Sequence, residues 1–149
     1  MVIQSLAIQD VPSVREVARG GHTPLWEPKD FAFFLAHPHG FNFGLYQSEG
    51  QKTNVLRAYT LCLLVEGELD IISVATHMSF RSQGLATQLL SHVLKMSVVR
   101  KAFLEVDVTN KPAVALYQKL GFVVIDTRKA YYEKKRDAWL MSWNQNETP

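Results

Sequence analysis

An apolar strand pattern, a short polar segment and an amphipathic helix pattern follow one another directly near the middle of this chain. The strand pattern covers Leu69–Thr76, the segment is Arg81–Ala86, and the helix begins at Leu85 and continues to about Val99. A helix start leaves its first N–H groups without intrahelical partners and carries partial positive charge. The segment is therefore a candidate site for an anion such as a pyrophosphate, and Gly84 permits close approach of the backbone. A plain helix start with an exposed arginine is the simpler alternative.

Hydrophobic periodicity and turn residues divide the whole chain into strands and helices. The predicted strands are Val2–Ile8, Phe41–Gln47, Val55–Val65, Leu69–Thr76, Ala102–Val108, Phe122–Asp126 and Ala138–Trp143. The predicted helices run from Asp10 to about Arg19, from Lys29 or Asp30 to Ala36, from Leu85 to about Val99 and from Asn110 to Leu120. A polar turn is predicted at Ser48–Asn54 and a frayed tail at Asn144–Pro149. The order β-α-α-β-β-β-α-β-α-β-β predicts an α/β fold with a mixed central sheet and helices on both faces.

Composition favours one globular domain, residues 1–149, because 47% of the residues are hydrophobic and 20% are charged. The formal charge is −3 over residues 1–75 and +5 over residues 76–149, which suits a phosphate-bearing ligand but equally a solvated surface. No apolar run approaches the roughly 20 residues of a membrane span, and no export signal is evident at the start. Basic patches interleaved with aromatic residues are missing. We therefore expect a cytoplasmic protein with neither a membrane nor a nucleic acid as partner.

Cys62 is the only cysteine, so an internal disulfide is impossible and a reducing compartment is expected. It lies within the apolar run Tyr59–Val65, where burial is a better interpretation than a reactive nucleophile. The histidines other than His77 show no metal-ligand spacing, so no metal site is predicted. His77 itself follows a predicted strand and is either a base or, more simply, a loop residue.

The strand and the helix after the candidate anion site carry two polar groups suited to chemistry, Glu105 and Tyr117. On pattern alone, Glu105 is a solvent-facing residue that pairs with Lys101 or Lys119. Tyr117 lies at helical spacing with apolar residues, so a core aromatic is the simple alternative to a phenol that reaches into a cleft. Asn110 is an adequate N-cap without any ligand.

Two motifs relate the chain to a known superfamily. Arg81–Ala86 matches the pattern Gln/Arg-x-x-Gly-x-Gly/Ala, and residues 110–122 match Asn-x-x-Ala followed by Leu-Tyr-x-x-x-Gly-Phe. With these motifs and this element order, the chain resembles the GNAT superfamily of acyl-CoA-dependent N-acetyltransferases. Within it, the chain resembles the ribosomal-protein-alanine N-acetyltransferases in the following residues: Leu104-Glu105-Val106, Thr109-Asn110, Tyr131-Tyr132 and Trp26.

The resemblance implies acetyl-CoA as cosubstrate, no metal, and a set of residues that hold the cofactor. Backbone N–H groups at the start of the Leu85 helix would bind the pyrophosphate, with Arg81 and Ser82 at its edge. The preceding strand would pair with the pantetheine like an added strand, and an amide near Val74 would polarise the thioester carbonyl. Asn110 would bond the cofactor arm. The implied cofactor residues are Val74, Ala75, Thr76, Arg81, Ser82, Gln83, Gly84, Leu85, Ala86, Thr87 and Asn110.

The resemblance also implies catalytic and acceptor roles. An ammonium group must lose a proton before its nitrogen attacks the thioester, and Glu105 is the implied base, directly or through a water. Tyr117 is the implied acid for the leaving thiolate, and Trp26, Tyr131 and Tyr132 would shape the acceptor site. The implied function is direct acetyl transfer to a primary amine in a ternary complex, with a protein N-terminal amine as candidate acceptor. The alternatives are a small amine such as a polyamine, amino acid or drug, and a CoA-binding regulatory module without catalysis. A monomer or a homodimer is expected.

Overall fold

The computed structural model describes residues 1–21, 26–129 and 136–147. Within these ranges the elements follow the predicted order. The strands are β1 (Val2–Ser5), β2 (Phe43–Glu49), β3 (Lys52–Val65), β4 (Glu68–Thr76), β5 (Lys101–Asp107), β6 (Val123–Arg128) and β7 (Ala138–Asn144). The helices are α1 (Val11–Ala18), α2 (Pro28–Leu35), α3 (Leu85–Leu94) and α4 (Lys111–Lys119). Short 3-10 turns lie at Ile8–Asp10, Met78–Phe80 and Gln145–Glu147.

The strands form one mixed sheet in the order β1-β2-β3-β4-β5-β7-β6. Only the β4–β5 pair is parallel, and α3 lies in the connection between these two strands. A parallel pair requires such a crossover, whereas antiparallel pairs such as β3–β4 need only the tight turn at Glu66-Gly67. The predicted mixed sheet is therefore confirmed.

Helices cover both faces of the sheet, also as predicted. On one face α1 and α2 bury Val14, Val17, Phe31 and Leu35 against β3 residues that include Tyr59. On the other face α3 and α4 enclose the larger core, whose buried members include Leu90, Val93, Val99, Leu104, Val106, Val114, Tyr117, Phe122, Met141 and Trp143. The alternation of buried and half-buried residues along β5 follows from this arrangement, since successive side chains of a strand point to opposite faces.

Several predicted boundaries are wrong. The first strand ends at Ser5, and the helix expected to reach Val99 ends at Leu94. Val99 is fully buried, but it lies after a turn in which its N–H donates to the Met96 carbonyl at 3.0 Å, because the chain reverses there to enter β5. The polar turn at 48–54 is shorter than predicted, since β2 continues to Glu49 and β3 already begins at Lys52.

The predicted frayed tail starts too early. Asn144 is the last residue of β7 and pairs with Lys101 of β5. Gln145 continues into a 3-10 turn, and its N–H donates to the Arg100 carbonyl at 2.9 Å. These backbone hydrogen bonds hold residues 144 and 145 against the start of β5, so polar composition alone was a poor guide to where the tail begins.

Candidate active site

The start of α3 presents backbone N–H groups that no side chain caps. Gly84 is the N-cap residue. Its carbonyl accepts the first i to i+4 hydrogen bond of the helix, from the Gln88 N–H at 3.0 Å. The N–H groups of Leu85, Ala86 and Thr87 precede that bond and therefore lack an acceptor within the helix. This is the arrangement that the sequence predicted for an anion, and the donors belong to residues of the predicted cofactor set.

Backbone conformation explains the glycine in this segment. Gly84 has φ +76°, in the left-handed region, and a Cβ built on it would meet nothing within 4 Å. Conformation therefore requires glycine here, and the space above it is open for a ligand. Ser82 also has positive φ, +64°, which is uncommon for a residue with a side chain. The two residues on either side of Gln83 thus turn the chain sharply into α3.

Arg81 points towards α1 and the end of β4. Its Nη2 donates to the Gly20 carbonyl at 3.2 Å and its Nε to the Thr76 carbonyl at 3.4 Å. His77 supports the same connection, since its Nε2 lies 3.8 Å from a Glu16 carboxylate oxygen. The loop between β4 and α3 is therefore attached to the C-terminal end of α1. His77 is a loop residue here, and its Nδ1 accepts a bond from a backbone N–H two residues on.

β4 and β5 lie side by side only at their beginnings. Three register pairs join them, Glu68–Lys101, Leu69–Ala102 and Asp70–Phe103. Beyond these pairs the two strands diverge, while β4 stays paired with β3 as far as Thr76. Alternate backbone N–H and C=O groups of Val74–Thr76 consequently face the gap between the strands. The gap ends near the first turn of α3 and suits an extended ligand that pairs with a strand edge.

Glu105 lies on β5 next to this gap, on the sheet face that also carries α1 and α2. Its neighbours Leu104 and Val106 are buried against α3 and α4, so Glu105 points to the opposite side. Its Oε1 lies 2.8 Å from Nη1 of Arg128, and its side chain is 27% exposed. The partner is thus an arginine of β6, not Lys101 or Lys119 as the pattern suggested.

Asp70 is a residue of this site that the sequence reasoning missed. It shares a face with Glu105, and partial burial raises the pKa of its carboxyl above the usual value, although more than a third of the residue is exposed. The nearby carboxylates of Glu105 and Glu68 raise it further. The parallel pairing of Asp70 with Phe103 creates this neighbourhood, and no local sequence signal announces it.

Tyr117 lies on α4, on the other side of the sheet from Glu105. It is 9% exposed, belongs to the core cluster that contains Ile71 of β4 and Leu104 of β5, and contacts the Phe122 ring edge-on at 5.8 Å between centroids. The core interpretation is therefore correct for the ring. The cluster includes residues of both diverging strands, so Tyr117 belongs to the core that packs against them.

Asn110 caps α4, as the simple interpretation predicted. Its Oδ1 accepts a bond from the Ala113 N–H at 3.4 Å. A bond from Asn110 to a cofactor would then come from its Nδ2.

Trp26 lies at the edge of the α1/α2 core. Its ring stacks on Phe34 at 5.4 Å and meets Phe31 edge-on at 5.0 Å between centroids. A groove of about 400 Å³ lies beside it and is lined also by Arg15 of α1 and by Arg19, which follows the end of α1. Tyr131 and Tyr132, the other predicted acceptor residues, lie outside the described residues.

Cys62 takes no part in this site. It is fully buried, and burial raises the pKa of its thiol to about 12. A thiolate is therefore absent at neutral pH, which confirms the predicted packing role. Among the described residues there is no group of three or more His, Cys, Asp or Glu side chains able to hold a metal ion. None of the described helices is long and apolar enough to cross a membrane.

The fold is that of the acetyltransferases. Residues 11–122 match the model of the Acetyltransferase (GNAT) family, and the chain belongs to this family. It is an acetyl-CoA-dependent N-acetyltransferase. The recognition of the family from its two motifs is confirmed.

Individual relatives agree with this assignment. The chain is 30% identical over 146 residues to the [ribosomal protein bS18]-alanine N-acetyltransferase of Escherichia coli strain K12, covering 94% of this chain and 95% of that protein. It is 38% identical over 76 residues to an N-alpha-acetyltransferase of Saccharolobus solfataricus, covering 48% and 46% of the two chains. The crystal structure of the E. coli ribosomal-protein-S18-alanine N-acetyltransferase superposes with a TM-score of 0.83, at 28% identity over 96% of this chain and 92% of that one. Arabidopsis thaliana NAA60 in complex with acetyl-CoA has the same fold, with a TM-score of 0.84 at 16% identity over 97% and 98% of the two chains.

Proposed function

We propose that this protein transfers the acetyl group of acetyl-CoA to the α-amine of a protein or peptide N-terminus. The observation that carries the proposal is the gap between β4 and β5, which has uncapped helix N–H groups at one end and the Glu105 carboxylate on its acceptor side. The relatives named as alanine N-acetyltransferase and N-alpha-acetyltransferase support the choice of acceptor.

The donor would lie along the gap. The N–H groups of residues 83–87 would bind the pyrophosphate, whose negative charge the start of α3 favours, with Ser82 and Arg81 at the edge. The pantetheine would pair with the main chain of Val74–Thr76, and the amide near Val74 would polarise the thioester carbonyl. In this arrangement the acetyl group would lie beside Glu105.

Transfer would then proceed in one step within the ternary complex. Glu105 takes a proton from the acceptor ammonium, directly or through a water, and the resulting amine attacks the carbonyl carbon of the thioester. The new C–N bond forms as the C–S bond breaks, the nitrogen releases its second proton to solvent, and Tyr117 donates its phenolic proton to the departing CoA thiolate. Solvent then reprotonates Tyr117 and takes up the proton held by Glu105. No enzyme nucleophile is required, in agreement with the burial of Cys62.

The acceptor would approach from the face that carries α1 and α2. Glu105 points to this face, and the aromatic cluster around Trp26 borders it. We include Trp26, Tyr131 and Tyr132 in the proposed acceptor surface. We also propose a cytoplasmic location, a monomer or homodimer, and no partnership with membranes or nucleic acids.

The test is an acetylation assay that detects free CoA with a thiol reagent. The acceptors are a peptide with a free N-terminal alanine, the same peptide with a blocked N-terminus, and spermidine. We expect one acetyl group on the α-amine of the free peptide only, located by mass spectrometry. Transfer to spermidine alone would contradict the proposed acceptor, and acetyl-CoA binding without any transfer would indicate a non-catalytic module.

A further inference from the structure

The candidate base, Glu105 of β5, contacts an arginine of β6, although β5 and β6 are not paired with each other. Nη1 of Arg128, the last residue of β6, lies 2.8 Å from Oε1 of Glu105 on β5. We propose that Arg128 is a positioning residue of the active site, which holds and orients the Glu105 carboxylate for proton transfer. This inference rests on the proposed function of Glu105.

Sheet register explains how the two side chains meet. β7 lies between β5 and β6, with Leu140 opposite Glu105 and Ala138 opposite Arg128. Residues two apart on a strand point to the same face, so both side chains lie over this part of β7. Ala138 is fully buried and small, which leaves room for the arginine to cross above it. Neighbouring strands of a sheet are about 5 Å apart, so the long arginine side chain can reach from β6 across β7 to the Glu105 carboxylate.

The Asp107 carboxylate is closer than Glu105 to Arg128 in the strand register, but it contacts other groups. Asp107 of β5 is paired with the same Ala138 as Arg128. Its Oδ1 accepts bonds from the Thr109 N–H and hydroxyl, and its Oδ2 lies 2.7 Å from Nε of Arg136. Both oxygens of Asp107 thus have donors of their own. Arg128 contacts Glu105 diagonally across β7, and two arginine–carboxylate pairs lie side by side.

The charge around Glu105 gives this pair a consequence for catalysis. The charged groups that face Glu105 are Glu68 and Asp70 from β4, Lys101 and Asp107 from β5, Asp126 and Arg128 from β6, and Arg136 before β7, with the Lys129–Asp137 pair beyond them. Arg128 is the cation among them whose side chain contacts the Glu105 carboxylate, at 2.8 Å. A guanidinium in contact with a carboxylate stabilises its negative charge, and loss of Arg128 would remove that interaction.

The contact also orients the carboxylate. The ion pair between Nη1 of Arg128 and Oε1 restricts the rotation of the Glu105 side chain. The carboxylate held in this way would receive the proton of the acceptor ammonium or of an intervening water. Arg128 itself exchanges no proton, since a guanidinium stays charged throughout the pH range of the assay.

The experiment compares Arg128→Gln and Arg128→Lys with the wild-type protein by two measurements. The first is a pH titration of the Glu105 side chain by NMR on protein with 13C-labelled glutamate, with the signal identified from Glu105→Gln. It requires no acceptor. The second is the pH profile of kcat/KM for the N-terminal peptide at saturating acetyl-CoA. Arg136→Gln is the matched control, because Arg136 is equally exposed and pairs with the neighbouring carboxylate.

In Arg128→Gln we expect the NMR titration and the acid limb of the profile to move together to higher pH, by about 0.5–1 unit for a half-exposed pair. We also expect kcat/KM at neutral pH to fall about 5- to 10-fold, with KM for acetyl-CoA unchanged. Arg128→Lys should restore part of both shifts, and Arg136→Gln should move neither. An unchanged acid limb in folded Arg128→Gln, or an equal shift in Arg136→Gln, overturns the role of Arg128.

Different results would contradict the proposed function and the positioning role of Arg128. If wild-type protein binds acetyl-CoA but acetylates no peptide, the proposed function is wrong, whatever the NMR titration gives. If wild-type protein is active and the NMR titration of Glu105 is the same with and without Arg128, only the positioning role is wrong.

Discussion

Asp70 pairs with Phe103 at the last register step that joins β4 to β5. The gap that accepts the donor in our proposal begins immediately after this pair. Glu105 follows Phe103 by two residues and therefore lies on the same face as Asp70, close enough for its charge to raise the pKa of the Asp70 carboxyl. The Asp70–Phe103 pair thus fixes where the gap between β4 and β5 begins. It also brings Asp70 close to Glu105, the candidate base.

Gly84→Ala tests the anion site at the start of α3. An alanine at φ +76° strains the backbone by about 1 kcal/mol, so we expect a modest loss of stability and a several-fold weaker binding of acetyl-CoA by calorimetry. Gly50→Ala is the matched control, because Gly50 also has positive φ, +58°, and open space around it, but lies in the β2–β3 turn. Equal weakening of acetyl-CoA binding in both variants would argue against a role of the loop in binding the cofactor.

Glu105→Gln tests the base. The amide keeps the size of the side chain but cannot accept the proton, so we expect kcat to fall about 100-fold near neutral pH. The loss should shrink at high pH, where the acceptor amine is already deprotonated. Glu68→Gln removes a carboxylate from the same face without touching the proposed step, and serves as control. Parallel pH profiles for wild-type and Glu105→Gln proteins would remove Glu105 from this role.

Tyr117→Phe separates catalysis from packing. The ring keeps its core contacts and its edge-on contact with Phe122, so the free energy of unfolding should fall by no more than about 1 kcal/mol. Turnover should fall about 100-fold because the thiolate loses its proton donor. Tyr59→Phe, which removes a buried hydroxyl bonded to Ser73 at 3.0 Å, should cost similar stability with little change in turnover. A large loss of stability with normal turnover in Tyr117→Phe would leave it a core residue only.

Asp70→Asn is expected to raise stability at neutral pH. A carboxyl whose pKa is raised by folding binds its proton more tightly in the folded state, so ionisation above that pKa favours unfolding. The substitution removes this penalty, and the gain in Tm at pH 7 should be on the order of 1 °C for a partly exposed group. The gain should vanish below about pH 3.9, the unfolded value, where both states hold the proton. Thermal unfolding at the two pH values measures it, and an equal difference at both would contradict the interpretation.

Cys62 should resist thiol reagents in the native protein. Its full burial and raised pKa, about 12, leave neither access nor thiolate, so we expect reaction only upon unfolding. Activity after prolonged incubation with iodoacetamide should be unchanged. Rapid modification of the folded protein with loss of activity would contradict direct transfer without an enzyme nucleophile.

Local patterns in the sequence are sufficient for the order of the elements and for the donor site. A strand followed by Arg81–Ala86 and an amphipathic helix is a local arrangement, and the N–H groups at the start of α3 follow from backbone geometry. The N-cap role of Asn110 and the burial of Cys62 are equally local. Boundaries were less predictable, because Val99 contributes to the core from a turn and not from a helix.

Tertiary structure alone decided how the elements meet. The divergence of β4 from β5 depends on which residues pair across a parallel register, and the Glu105–Arg128 contact depends on two strands that share β7 as neighbour. Arg81 likewise reaches the Gly20 carbonyl only because α1 ends beside the loop. Hydrophobic periodicity assigns a residue to one face of the sheet but does not say which residue of a neighbouring strand it contacts. The pattern of apolar and charged residues is the same whichever charged residues on that face form ion pairs. The sequence by itself therefore determined the donor and the element order, and the packed sheet decided the neighbours of Glu105, the proposed base.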